Sequence, residues 1–191
     1  MKRIVIASII GIAASVASSY AQGVIGFDNY ASANTTPVKY GSPAPAGFSA
    51  GDLVGDANIV IGLYAGANGS STSALTLLAT TFILPPNGVY EGPNAIIPAS
   101  IWPSAGTIVE FQVRGWETVG ALAGGGTYGT SQLQGASATW TENAAITGSA
   151  NAANPFANGP MPLVLSVVPE PTTMALVGLG MASMLIFRRR Q

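Results

Sequence analysis

The chain has 191 residues, of which only 8 % are charged and 24 are glycine, with neither histidine nor cysteine. Without those two residue types it has no Ser-His-Asp triad, Cys-His pair, imidazole proton shuttle, ordinary zinc site or disulfide. Five of its seven bases lie at the two ends (Lys2, Arg3, Arg188, Arg189 and Arg190). The stretch 22–168 keeps Lys39 and Arg114 against seven acids, a net of −5. So few bases leave no electrostatic footprint for nucleic acid, and that partner class is set aside.

In chain order, Lys2 and Arg3 precede an apolar stretch over 4–17, and Ser19-Tyr20-Ala21 supplies the small-x-small pattern read by signal peptidase. Residues 1–21 are therefore expected to be a signal peptide cut after Ala21, and basic ends on the cytoplasmic side imply that everything between them is translocated. The stretch 22–168 is expected to form one β-rich exported domain.

Its clearest strand is 107–117, where Val109, Phe111 and Val113 alternate with Glu110, Gln112 and Arg114. This period of two predicts one buried and one wet face, with Trp116 on the wet one. Segments 58–65 and 74–84 are apolar on both faces and read as central strands, joined as a hairpin by the Gly/Asn/Ser/Thr turn 66–73. Shorter candidates are 24–30, 137–142 and 163–168. Pro37, Pro43, Pro45, Pro85, Pro86, Pro93, Pro98 and Pro103 fall between these segments, as residues unable to donate to a ladder should. Residues 121–126 read as a flexible loop, and 144–162, rich in Ala, Asn and Gly, as a connection before the last strand. Strands, turns and no amphipathic helix predict an all-β, antiparallel sandwich-like domain, flanked by an N-terminal signal helix and a C-terminal transmembrane helix.

Few residues in the domain carry chemistry. Glu110 and Glu117 are the nearest carboxylate pair for glycoside hydrolysis. At seven residues' separation they would stand roughly 23 Å apart on opposite strand faces, too far for that reaction. No catalytic residue is assigned, and the protein is expected not to be an enzyme. Asp52, Asp56 and Asn58 carry oxygens suited to a hard cation such as calcium, yet their Gly-bearing spacing fits turn geometry better than an EF-hand. No metal or cofactor is assigned. Trp102, Trp116, Trp140, Tyr64 and Tyr128 are candidates for sugar stacking, with Trp116 the expected exposed contact, although core packing is the commoner use of such rings. Gly124-Gly125-Gly126 lacks the Lys-Ser/Thr of a phosphate loop.

The tail is the most informative segment. Val168, Pro169, Glu170 and Pro171 lead into an uncharged run over 172–187, followed by Arg188, Arg189 and Arg190. As a helix the run spans roughly 24 Å, and snorkelling arginines with local thinning would fit it to a core of roughly 30 Å. An ordinary anchor explains the helix and the arginines but has no use for a carboxylate between two prolines. The combination resembles the PEP-CTERM sorting signal of bacterial surface proteins. The resemblance implies sorting of segment 169–191 by a membrane protease of the exosortase type. It further implies at least transient membrane anchoring, then residence in the cell envelope or extracellular matrix. On this reading the protein is a secreted or cell-surface protein with a structural or interaction role. An extracellular-polysaccharide-binding module is the alternative, and a glycosidase a distant one.

Overall fold

The computed structural model describes residues 23–29, 36–104, 106–143, 145–146 and 162–168. The expected signal segment 1–21 with its cut after Ala21, and the tail 169–191 with the helix expected at 172–187, lie outside them. The described chain is all-β. Its strands are β1 (Gly23–Asp28), β2 (Lys39–Tyr40), β3 (Ile59–Ala67), β4 (Thr76–Leu84), β5 (Val89–Ile97), β6 (Ile108–Glu117), β7 (Leu133–Ala136), β8 (Trp140–Asn143), β9 (Ala145–Ile146) and β10 (Val164–Val167), with one 3-10 turn at Thr72–Ala74.

The expectation of a sandwich is corrected to a single curled sheet, ordered β2-β10-β7-β6-β3-β4-β5-β1-β9, with β8 also paired to β6. Among the described residues every ladder is antiparallel except β10–β2. β4 pairs with β3 from Thr76 to Phe82 and with β5 at Ile83 and Leu84, beside the hairpin turn. Thr81 Oγ1 donates to Glu91 O at 2.5 Å, so that β5 runs alongside β4 beyond those two pairs. The curl of the sheet joins the apolar residues of β5 and β1 to those of β3 and β6. One core cluster results, joining Ile25 and Phe27 of β1, Tyr90 and Ile97 of β5, Ile61 and Leu63 of β3, Val109 and Phe111 of β6, and Leu165 of β10. A face removed from water on this scale is the main driving force of the fold.

The period-two reading of β6 holds on its core face, where Val109, Phe111 and Val113 are buried. β3 is buried on both faces, as its composition predicts. β4 is not: Leu77, Phe82 and Leu84 are each more than two-fifths exposed, because nothing among the described residues covers that flank. Strand β5 went unrecognised because Pro93 sits inside it. The β1–β5 register shifts between Ile25, opposite Ala95, and Phe27, opposite Gly92, so that Pro93 falls at the irregularity, where a missing N–H is tolerated. Strand β7 and the two-residue β2 and β9 were also unforeseen; β9 lies within the segment read as a connection. Asn29 closes the end of β1 with its buried side chain: Nδ2 donates to Thr36 O and Gly88 O, and Oδ1 accepts from Tyr90 N at 2.7 Å. Its amide thus continues a ladder that the backbone has ended.

Candidate functional site

The first place of interest is where the tail leaves the domain. β10 is clasped on both sides, parallel to β2 and antiparallel to β7, and buries Leu163 and Leu165 in the core. Gly41 N donates to Leu165 O, Val167 N to Pro43 O at 2.8 Å, and Val168 N to Gln132 O at 2.6 Å. Pro169 follows directly in the sequence, with no N–H to extend either ladder. The Val-Pro-Glu-Pro element therefore begins while the chain is still hydrogen-bonded to the folded domain, without an intervening linker.

The second place is the outer face of β3 and β6. Trp116 lies there, as the alternation requires, but it is only 7 % exposed. The segment 118–130 folds over it: indole Nε1 donates to Gly126 O at 3.2 Å, and Tyr128 packs edge-on with ring centroids 6.2 Å apart. Internal bonds hold that segment, among them Gly126 N to Ala123 O and Gln132 N to Leu122 O. The expectation of Trp116 on a wet face, free to stack against a sugar, is therefore corrected. Periodicity identifies the face opposite the core; it cannot see a loop that covers that face. Trp102 is fully buried, and Trp140 stacks on Phe111 with centroids 5.6 Å apart.

Beside Trp116 the structure brings together Tyr64 and Tyr128, two of the rings read as stacking candidates, around Arg114, which the sequence reading left out. Its guanidinium carbon lies 4.0 Å from the Tyr64 ring centroid and 5.0 Å from that of Tyr128. Nε donates to Gln112 Oε1 at 2.8 Å, and Nη2 to Thr72 O. Thr72, Ser73, Gln112, Arg114 and Tyr128 line a cleft of about 260 Å³. Burial raises the Tyr64 hydroxyl above its ordinary range, with Arg114 opposing through charge and a hydrogen bond. A single arginine in an alternating strand reads as a solvated position, and no sequence spacing announces that the two tyrosines flank it.

The third place is the end of the sheet at Glu117, which is 6 % exposed. Its carboxylate accepts from the Leu122 backbone, and Oε2 has no partner among the described residues. Burial pushes this carboxyl above the usual range, and Asp56 pushes it the same way. Glu110 pairs with Gly66 and Glu117 with Ile59, at opposite ends of β6, so the strand brings these two carboxylates no closer than the spacing implied. Asp52 Oδ2 accepts from Ser49 N at 2.7 Å and Asp56 Oδ1 from Asn58 N at 2.8 Å, the local turn bonds expected of such residues. Among the described residues, no group of three potential ligand side chains is suited to a metal.

Comparison with known proteins agrees with the first of these places. Residues 167–190 match the family model of the PEP-CTERM protein-sorting motif. The motif implies an exported protein processed by an exosortase, with a membrane-associated C-terminal tail. No curated protein and no solved structure matches the chain. The match starts at Val167, so its first two residues, Val167 and Val168, are the ones bonded to Pro43 and Gln132.

Proposed function

We propose that the protein is a non-catalytic surface or extracellular-matrix component, whose β domain is delivered by its PEP-CTERM tail and serves a structural or interaction role. The observation that carries this reading is the sorting motif at 167–190, which starts on the last strand of a folded domain. Among the described residues the domain's ladders are all made upstream of Pro169, so removal of the tail would take none of these strands from it. Signal peptidase acting after Ala21 would likewise release the chain just ahead of β1, which starts at Gly23. An absence of histidine and cysteine, with Glu110 and Glu117 at opposite ends of one strand, supports a non-catalytic role. The carbohydrate-binding alternative loses its Trp116 platform, since that ring is covered.

The test is Glu170→Ala in the producing cell, followed by fractionation and intact mass. The variant is expected to stay in the membrane with its tail attached, while the wild type is processed. Equal size and equal distribution of the two forms would reduce the tail to a plain anchor.

A further inference from the structure

We propose that the cleft beside Arg114 is a binding site for a carboxylate-bearing sugar, a hexuronate unit of an acidic saccharide. Arg114 is one of two bases left in a domain with seven acids, yet no carboxylate among the described residues pairs with it. Instead it lies against two aromatic rings, at 4.0 and 5.0 Å, and is oriented by Gln112 Oε1 and Thr72 O. A guanidinium fixed by neutral acceptors keeps its full charge and does not have to be ordered when an anion arrives. Its planar fork suits a carboxylate better than a point charge would.

The rest of the lining points to a sugar. Tyr128 is half-buried, and its ring offers the flat apolar contact that the C–H face of a pyranose takes. Thr72 and Ser73 line the same cleft with hydroxyl-bearing side chains, which match a ring that carries several hydroxyls. The Gln112 amide is engaged by Ser137 O and by Arg114, and holds the guanidinium in place. At about 260 Å³ the space fits one or two such rings rather than a long chain. The domain's net charge of −5 repels long polyanions, which sets the useful probe at a few sugars.

The test is calorimetric titration of the full chain in neutral detergent with trigalacturonate, with its methyl ester and with triglutamate. We expect trigalacturonate to bind and the methyl ester to bind at least tenfold more weakly, a comparison that leaves the protein unchanged. Triglutamate, which has carboxylates but no pyranose, should also bind at least tenfold more weakly. Arg114→Gln should lose the preference for the free acid over the ester, and Arg114→Lys should restore only part of it. Equal affinity for acid and ester, equal affinity for triglutamate, or no heat from the wild type with about 10 mM trigalacturonate would each overturn the assignment. Failure here would leave the sorting reading intact, because that reading is tested at Glu170 and not at Arg114.

Discussion

Gly135→Ala should destabilise this protein more than any ordinary surface substitution, because of where β7 meets β10. A methyl group built at Gly135 would stand 1.8 Å from the backbone oxygen of Val164, where ordinary contact needs at least 3.4 Å. The shortfall of roughly 1.6 Å has no soft neighbour to absorb it, since the obstacle is main chain. Opening the β7–β10 spacing from about 4.8 Å by that amount would break the ladder between Ser166–Val167 and Leu133–Gln134. β10 carries Leu165 and adjoins Leu163, both in the core, and full exposure of two leucines costs about 3–6 kcal/mol. Against a total stability of about 5–15 kcal/mol this is a large fraction. Gly69→Ala is the matched control: its position has φ +81° with nothing within 4 Å, so only backbone strain of about 1–2 kcal/mol applies. Urea denaturation of the full chain in detergent, followed by tryptophan emission, measures both variants. A Gly135→Ala loss no larger than that of Gly69→Ala would refute the tight seating of β10, and with it the view that the tail departs from an integral strand.

Other consequences are open to measurement. Burial and Asp56 raise the Glu117 carboxyl above 4.5, and burial does the same for Glu142. The folded state therefore holds these protons after the unfolded chain has released them, so stability present below about pH 4.5 is lost as pH rises through the raised values. Urea midpoints should fall between about pH 4 and pH 7, and Glu117→Gln should make that fall shallower; an unchanged slope would show that Glu117 is not its source. Trp116→Ala should cost about 3–5 kcal/mol as a buried ring is lost, whereas Trp116→Phe should cost less, near the roughly 1 kcal/mol of its bond to Gly126 O plus a packing adjustment. Denaturation curves for both decide whether the 118–130 segment is seated on the indole, and a neutral Trp116→Ala would mean that it is not. Mass spectrometry of the exported protein should give Gln22 as the mature N-terminus, a result that a dominant peptide spanning Tyr20–Val24 would contradict.

The core strands and the tail were legible from local pattern alone, because each depends on signals a few residues wide. Alternation of Val109, Phe111 and Val113 with polar residues predicts β6, and unbroken apolar residues predict the doubly buried β3. Val168 to Arg190 likewise reveals a sorting signal, since the prolines, the acid, the apolar run and the arginines act in linear order. Short strands such as β2 and β9 escape such a reading, for two residues carry no period and are strands only because β10 and β1 lie beside them. Pro93 hid β5 until the register against β1 showed an irregularity able to take it. The curl of the sheet, the cover over Trp116, and the meeting of Tyr64, Arg114 and Tyr128 were decided in three dimensions. Each joins residues from separate segments, and side-chain period records which way a residue points but not what comes to lie against it.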